Sequence, residues 1–209
     1  MTPAPSGVVL DLGNVVVDWD PFHAVAAGVG AREAAAFLAS TEIDFRAVNH
    51  QADAGRDWDD VLADVARDHP RWLPHVRAYR EHFGASLRGE VPGTGDVVRE
   101  LHRGGVRLWG LTNWSHELWP HAPARFEVLS LLEDVVVSGT EGVAKPDPRI
   151  YAVLRERVGT PLDRLVFVDD RADNVAAGVE AGLDGVVFTG AARLREDLRA
   201  RGLLGADPD

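Results

Sequence analysis

Five short apolar runs, spread along the 209-residue chain, constrain its fold more than any other feature. They are rich in β-branched residues and do not alternate with polar residues, which is typical of strands buried on both faces of a parallel sheet. The runs are Val8 to Leu10, Val106 to Leu111, Val135 to Val137, Leu165 to Val168 and Val186 to Phe188. Segments with helical spacing lie between the later runs, so repeated βαβ units predict an α/β fold with a three-layer, Rossmann-like parallel sheet.

Local signals for helix ends agree with this pattern. Gly104 and Gly182 each follow a segment with helical spacing and are suited to stop a helix. Asp147 can cap the helix that precedes the fourth run, and Pro148 can occupy its first position.

The alternation of strands and helices is interrupted between Asp20 and Arg88, because no comparable apolar strand run occurs in this interval. It is rich in alanine, and its helical spacing of apolar residues predicts three helical segments. These segments are Ala31 to Leu38, Asp57 to Arg67 and Arg71 to Leu87. We therefore predict a helical cap over residues 20–88, inserted into an α/β core formed by residues 1–19 and 89–209. A helical insertion at this point can form a lid over the carboxyl edge of the sheet.

Polar residues stand at the carboxyl ends of the predicted strands, which is the edge where open α/β sheets bind ligands. In chain order they are Asp11, Thr112, Asn113, Asp169 and Asp170, and Lys145 lies in the loop after the third strand, just before the capped helix. Three carboxylates close together repel one another unless a cation lies among them. Lys145 is one cation, and a hard divalent ion such as Mg²⁺ is a natural second.

A lysine and a divalent ion together would form a positive pocket suited to a phosphate. A neighbouring carboxylate could then attack phosphorus and form an aspartyl phosphate, while Thr112 and Lys145 hold the non-bridging oxygens. Each residue by itself is typical of an ordinary turn, cap or surface position. The shared sheet edge, rather than any single residue, favours a phosphate site.

Four motifs, in this order, resemble those of the haloacid dehalogenase (HAD) superfamily of phosphohydrolases, whose helical cap follows the first strand. The motifs are VVLDLGNVVVD at 8–18, LTN at 111–113, GVAKPDPRIY at 142–151 and VFVDDRADN at 166–174. The resemblance covers nearly the whole chain. The DLGN form of the first motif is similar to that of a subgroup that includes sugar-phosphate phosphatases.

The resemblance implies that Asp11 is the nucleophile of an enzyme of this family. The implied metal ligands are Asp11, the backbone carbonyl of Gly13, Asp170 and, directly or through water, Asp169. The implied phosphate contacts are Thr112, Asn113 and Lys145. The implied activity is Mg²⁺-dependent hydrolysis of a small phosphorylated metabolite, such as a sugar phosphate with a good leaving group.

Gly13 departs from the family pattern, because most family phosphatases have a second Asp, the general acid/base, two residues after the nucleophile. Another group could protonate the leaving oxygen, with Asp18, Asp20, His23 and the cap residue His50 as candidates. Alternatively no acid is used, and aryl, acyl or anomeric sugar phosphates react faster than alkyl phosphates. General acid catalysis contributes roughly 10²–10⁴-fold, so its loss should make the rate depend steeply on the leaving group. A third alternative is that catalysis has been lost.

Two other functions fit the same scaffold. A metal-independent 2-haloacid dehalogenase shares the fold and the Asp nucleophile and also lacks the second Asp. The adjacent carboxylates Asp169 and Asp170 favour the phosphatase, because the fourth motif of dehalogenases usually lacks them. A catalytically impaired binding or regulatory protein is the other alternative, and the joint presence of Asp11, Lys145 and Asp170 argues against it.

Specificity is expected in the cap, since the core holds only the phosphate and the metal. The polar segment 45–51 offers Arg46 and His50 as candidate substrate contacts. Trp19 and Trp114 directly follow the first two motifs, so both could form walls of the pocket, and Trp114 is a candidate substrate-binding residue. The tryptophans expected to pack in the interior are Trp58, Trp72 and Trp109.

The chain contains 22 Lys and Arg against 33 Asp and Glu, which gives a formal net charge of −11, and it contains no Cys. This charge disfavours broad binding to nucleic acid or anionic membrane, and the lack of Cys excludes disulfides and a Cys nucleophile. No apolar run approaches the roughly 20 residues of a transmembrane helix. Met1 to Gly7 lacks signal-peptide features, and Gly205 to Asp209 is expected to fray. We expect a cytoplasmic monomer or homodimer that acts on a small phosphorylated metabolite.

Overall fold

The computed structural model describes residues 5–205, and the fold is given for these residues. The expectations for Met1 to Gly7 and Gly205 to Asp209 lie largely outside them. The strands are β1 (Gly7–Leu10), β2 (Val17–Trp19), β3 (Leu87–Glu90), β4 (Arg107–Thr112), β5 (Asp134–Val137), β6 (Leu165–Asp169) and β7 (Asp184–Val187). The α-helices are α1 (Pro21–Val29), α2 (Ala31–Leu38), α3 (Phe45–Asp53), α4 (Trp58–Asp68), α5 (Leu73–Glu81), α6 (Thr94–Arg103), α7 (Ser138–Glu141), α8 (Pro148–Val158), α9 (Ala172–Glu180) and α10 (Ala191–Ala200).

Five strands form one parallel sheet in the order β5-β4-β1-β6-β7. The five predicted apolar runs coincide with these strands, which confirms the Rossmann-like α/β fold. Val8, Val9 and Leu10 of the central strand have no exposed surface. Val8 and Leu10 belong to one hydrophobic core, whereas Val9 belongs to a second core with Ile150. The alternation places a packed layer on each face of the sheet, which accounts for the three-layer architecture.

The helix-end signals act as predicted. The side chain of Asp147 accepts a hydrogen bond from the backbone N–H of Arg149 at 2.9 Å, and Pro148 begins α8. Helix α6 ends against Gly104. Gly182 follows α9 with a φ of +108°, a conformation that glycine adopts without strain.

Helices α1 to α5 follow one another between Pro21 and Glu81. Two of the predicted segments correspond to α2 and α4, but the prediction of one helix over Arg71–Leu87 is wrong. This stretch contains the end of a 3₁₀ turn, helix α5, a second 3₁₀ turn (Phe83–Ser86) and the start of β3. His82 leaves the helical region with φ −110° and ψ 20°, and the chain then turns into strand pairing. Within residues 5–205, none of the helices has the length and apolar character needed to cross a bilayer.

Helices α1 to α5 together form a helical block between β2 and β3. Strands β2 and β3 form an antiparallel ribbon where the chain enters and leaves this block. Val17 pairs with Glu90, and Trp19 pairs with Leu87. The ribbon lies at both predicted domain boundaries, after residue 19 and before residue 89, so β3 spans the second one. The division into a core and a cap stays a prediction.

Candidate active site

Strand β1 carries Asp11 to the carboxyl edge of the sheet. The backbone N–H of Asp11 donates to the carbonyl oxygen of Val168 at 2.8 Å, which extends the pairing of β1 with β6 by one residue. The side chain therefore emerges at the centre of the edge, and the residue is only 7% exposed. Burial raises the pKa of Asp11 to about 7, although the ammonium of Lys145 acts in the opposite direction.

Lys145 joins three strand ends through its side chain. Its Nζ lies 3.0 Å from Oδ1 of Asp11 and 2.6 Å from Oδ2 of Asp169. It also donates to the carbonyl oxygen of Leu111 at 2.6 Å. Three acceptors match the three N–H groups of an ammonium. Burial acts to lower the pKa of Lys145, but the charges of Asp11 and Asp169 outweigh it and raise this pKa, so the side chain stays charged.

Asp169 ends β6 and has no exposed surface. In addition to the ammonium of Lys145, its carboxylate accepts hydrogen bonds from the backbone N–H of Arg171 at 2.9 Å and from the side-chain amide of Asn174 at 3.1 Å. Both oxygens are thus engaged by donors from this chain. This arrangement orients the lysine, while ligation of a metal by Asp169 stays a prediction.

Three carboxylates meet beside Lys145. Oxygen atoms of Asp11, Asp169 and Asp170 lie within 4.8 Å of one another, and Asp170 is the exposed member. Burial raises the pKa of Asp170, and the charge of Asp169 adds to this effect. One ammonium against three carboxylates leaves an excess of negative charge, and oxygen atoms are the ligands that Mg²⁺ prefers. These residues fit a divalent cation, while a carbonyl ligand from Gly13 stays a prediction.

Thr112 and Asn113 follow each other at the end of β4, but their side chains are used differently. Oγ1 of Thr112 is buried and has no hydrogen-bond partner among residues 5–205, which is unusual for a hydroxyl without a ligand. The amide of Asn113 donates to the carbonyl oxygen of Lys145 at 2.9 Å and accepts from the backbone N–H of Lys145 at 2.8 Å. Asn113 therefore fixes the loop that carries the lysine. Phosphate contacts by both residues stay predictions.

A cavity of about 590 Å³ lies between this sheet edge and the helical block, a volume suited to a small molecule. The sequence-predicted residues on its wall are Asp11, Gly13, Arg46, His50, Asn113, Trp114, Lys145 and Asp170. Thr112 and Asp169 are buried instead of lining it. The structure thus brings residues from the predicted core and from the predicted cap to one cavity.

Aromatic rings form part of the same wall. Trp19 and Trp114 line the cavity as expected, together with Tyr79 and Phe83. Neighbouring rings meet edge to face, with centroid distances of 6.5 Å for Trp19–Tyr79, 5.6 Å for Tyr79–Phe83 and 5.7 Å for Phe83–Trp114. This surface is complementary to a ring-shaped or apolar group on a substrate. The tryptophans predicted to pack in the interior are buried: Trp58, Trp72 and Trp109.

Three of the acids considered as replacements for a second Asp do not line the cavity. Asp18 accepts two hydrogen bonds from Arg88, at 2.9 and 2.7 Å. Asp20 caps α1 with its side chain, and His23 lies 3.7 Å from the Asp20 carboxylate. Of the four candidates, only His50 is on the cavity wall.

Comparison with known proteins supports the assignment that the motifs suggest. A family model for haloacid dehalogenase-like hydrolases matches residues 5–182. The chain belongs to this family. Membership of this family places the chain among the hydrolases.

Relatives of this HAD-like hydrolase include phosphatases and dehalogenases. Phosphoglycolate phosphatase from Vibrio cholerae serotype O1 is 26% identical over 186 residues, which cover 84% of this chain and 80% of the phosphatase. The (S)-2-haloacid dehalogenase from Pseudomonas putida is 28% identical over 89 residues, which cover 43% of this chain and 39% of the dehalogenase. This chain spans 17% to 57% of the length of four other curated relatives.

A HAD family enzyme from Bacteroides thetaiotaomicron, solved as a magnesium complex, has the same fold as this HAD-like hydrolase. The TM-score is 0.72, the match covers 94% of this chain and all of that chain (100%), and the identity is 17%. At this identity the likeness shows the fold alone. Roles for individual residues therefore depend on the geometry of the site.

Sequence reasoning missed Asp53, which lies on the cavity wall of this HAD-like hydrolase. Positions 46, 49, 50 and 53 follow the helical period, so Arg46, Asn49, His50 and Asp53 share one face of α3. This spacing is the signal that could have identified Asp53, but helix α3 itself was not predicted. The hydrogen bond from the side-chain amide of Asn174 to Asp169 was also missed, although Asn174 lies within the fourth motif.

Proposed function

We propose that this HAD-like hydrolase is a Mg²⁺-dependent phosphomonoester hydrolase that acts on a small phosphorylated metabolite through an aspartyl-phosphate intermediate. One observation carries the proposal. Asp11, on the wall of the cavity, lies 3.0 Å from the buried ammonium of Lys145 and within a cluster of three carboxylates. A nucleophile, a fixed cation and ligands for a divalent ion thus share one edge of the sheet.

Asp11 is placed to attack phosphorus with one carboxylate oxygen, which displaces the leaving oxygen and leaves the phosphoryl group on Asp11. Lys145 orients Asp11 and stabilises the negative charge of the transferring group. Since three acceptors already engage its N–H groups, Lys145 acts chiefly through its charge. Water then cleaves the bond between phosphorus and Asp11, which restores the carboxylate and releases phosphate.

Asp11 and Asp170 would hold Mg²⁺, with Asp169 behind them. When bound there, Mg²⁺ supplies further positive charge to the phosphoryl oxygens. The excess of negative charge in the cluster supports a cation at this place. That a HAD family enzyme of the same fold was solved with magnesium and inorganic phosphate is consistent with this metal.

The substrate class depends on how the leaving oxygen is protonated. With glycine at position 13 and no other acid, the substrate would be a phosphate with a good leaving group, such as a sugar 1-phosphate. With another acid in the cavity, ordinary sugar phosphates and other alkyl phosphates would also react. The aromatic wall supports a leaving group that presents a ring face.

A metal-independent 2-haloacid dehalogenase is the second candidate. Gly13 favours it as much as the phosphatase, and the Pseudomonas putida relative is an enzyme of this kind. The cluster of Asp11, Asp169 and Asp170 supports the phosphatase, because a dehalogenase needs no metal ligands there.

The test is phosphate release from a panel of phosphate esters, with Mg²⁺ and with a chelator, for the wild type and for Asp11→Asn. We expect release that requires Mg²⁺ and falls by at least about 10⁴-fold in the variant, since the nucleophile is removed. Halide release from a 2-haloacid in the presence of chelator would identify a dehalogenase instead. Mg²⁺ binding without turnover would indicate a binding protein, and activity that survives Asp11→Asn would exclude the proposed nucleophile.

A further inference from the structure

Asp53, the last residue of α3, places a carboxyl group on the wall of the cavity that contains Asp11. Its Oδ2 accepts a hydrogen bond from Nδ2 of Asn49 at 2.8 Å, and the backbone of Ser115 also hydrogen-bonds to the carboxyl group. The charge of Asp11 acts on this group, so the two carboxyl groups are electrostatic neighbours. Asp53 thus lines the same cavity as the nucleophile but belongs to its other side, the helical block.

The backbone around Asp53 is tied to the strand ends of the sheet. Oγ of Ser138, directly after β5, donates to the carbonyl oxygen of Asp53 at 2.5 Å and accepts from the backbone N–H of Trp114 at 2.9 Å. Two residues further on, Gly55 has a φ of +100°, and a Cβ at this position would lie 2.7 Å from Cα of Gly142. These contacts fix Asp53 relative to the edge that carries the nucleophile.

The surroundings of Asp53 favour its protonated form. Burial raises its pKa to about 7, and the charge of Asp11 adds to this effect, while the hydrogen bond from Ser115 opposes it. The neighbouring phenol of Tyr79 has a pKa raised well above its usual value by burial and by the charge of Asp53. A carboxyl group that titrates near neutrality can both give and accept a proton during turnover.

We propose that Asp53 is the general acid/base of the reaction, supplied by the helical block in place of an acid at position 13; this rests on the proposed phosphatase function. In the first step Asp11 attacks phosphorus, the bond to the leaving oxygen breaks, and the proton of Asp53 moves to that oxygen. In the second step the Asp53 carboxylate accepts a proton from the attacking water while the bond between phosphorus and Asp11 breaks. The products are the alcohol and inorganic phosphate, and Asp53 is protonated again.

The experiment compares the wild type with Asp53→Asn on phosphate esters whose leaving groups range from p-nitrophenol to simple alkyl alcohols. We expect kcat/KM for alkyl phosphates to fall by about 10²–10⁴-fold in the variant, whereas p-nitrophenyl phosphate loses less than about tenfold. The reason is that an alkoxide needs a proton in order to leave and a nitrophenolate does not. Asp60→Asn is the control, because Asp60 is an exposed carboxylate in the first turn of the neighbouring helix α4 and does not line the cavity.

A second arm restores an acid from the core side. Among residues 5–205, no atom lies within 4 Å of a Cβ built on Gly13, and its backbone is not left-handed, so an aspartate fits there. In the Asp53→Asn background, we expect Gly13→Asp to raise kcat/KM for alkyl phosphates by at least about tenfold. We expect Gly13→Asn to leave kcat/KM unchanged. A purely structural role for Asp53 would not give this pattern.

Two results would overturn the inference, and one of them needs no variant. The wild type should show only a shallow dependence on the leaving group; a steep dependence would mean that no acid operates. Equal losses on aryl and alkyl phosphates in Asp53→Asn would likewise remove Asp53 as the proton donor. Either result is compatible with the proposed phosphatase function. Activity that survives Asp11→Asn would instead contradict the phosphatase mechanism itself.

Discussion

The two sides of the cavity differ in how their side chains are held. On the core side, Asp11 and Asp169 are buried at strand ends, and Lys145, buried in the loop between α7 and α8, contacts both at 3.0 Å or less. On the cap side, Arg46 and His50 are exposed on a helix. Parallel strand pairing dictates the first arrangement, whereas the second depends on the rotation and docking of α3. We infer that the core carries out the attack on phosphorus, whereas the cap binds the leaving group and supplies its proton through Asp53.

Removing the buried cation is the strongest test of the core side. Lys145→Met leaves the carboxylates of Asp11 and Asp169 buried without their partner. We expect kcat/KM to fall by at least about 10²–10³-fold, and the free energy of unfolding to fall by roughly 3–5 kcal/mol. Activity assays and urea unfolding measure the two effects.

Arg149→Met is the control for this substitution. Arg149 follows in the next helix and pairs with Asp147 on the surface, so its loss should leave activity and unfolding almost unchanged. A Lys145→Met enzyme that is as stable and active as the control would show that the strand ends do not form one electrostatic unit.

The exposed carboxylate of the cluster gives a smaller effect that is specific to the metal. We expect Asp170→Asn to raise the Mg²⁺ concentration for half-maximal activity by at least about tenfold, because a ligand is weakened. In the wild type, Mg²⁺ at 100 times its Kd should also stabilise the protein by about 2.7 kcal/mol, measured as a shift in Tm.

Asp173→Asn is matched to this variant, because Asp173 lies three residues further on, in the first turn of α9, but pairs with Arg171. If both substitutions change the Mg²⁺ requirement equally, the effect reflects the general charge of the loop rather than ligation by Asp170.

For Arg46, an exposed residue on the cap side, we expect a change in binding rather than in chemistry. Arg46→Ala should raise KM by up to about tenfold and leave kcat nearly unchanged, because an exposed side chain contributes little more than about 1 kcal/mol to binding. Arg32→Ala, at an exposed position on α2, is the control. A large fall in kcat for Arg46→Ala would show that the cap takes part in the chemistry through this arginine as well as through Asp53.

Much of the core side could be predicted from the sequence, and the reason is physical. A strand buried on both faces needs a continuous apolar run, and the residue that follows it must lie at the sheet edge. Asp11, Thr112 and Asp169 could thus be placed by counting from the runs. The positions of the side chains could not: nothing local shows that Asn113 bonds to the loop of Lys145 rather than pointing to a ligand.

The cap side was predictable only in outline. The short ribbon strands β2 and β3 include charged residues such as Asp18 and Arg88, so they lack the apolar runs of the sheet. The position of Asp53 depends on its contact with Ser138, which is 85 residues away in the chain. Helical spacing could have placed Asp53 beside Arg46 and His50, but only the docked structure shows which polar face lines the cavity.

The smallest expected effect concerns how the ionisation of Asp53 changes the stability of the folded protein with pH. The pKa of Asp53 rises from 3.8 to about 7 in the folded protein, mainly through burial. The native state therefore holds a proton that the unfolded state has released between about pH 4 and pH 7. The contribution of Asp53 to stability is present at low pH and is lost as the pH rises through this window.

Asparagine does not titrate. The free energy of unfolding of Asp53→Asn minus that of the wild type should therefore be larger at pH 8 than at pH 4.5. We expect the difference between the two pH values to be about 1 kcal/mol, since solvent in the cavity screens part of the charge, or roughly 2–4 °C in Tm. Thermal unfolding in chelator, with the exposed Asp60→Asn as control for the loss of one carboxylate from the helical block, measures it. A difference in Tm that is the same at both pH values would mean that Asp53 does not carry a raised pKa, which is the property that suits it to proton transfer near neutrality.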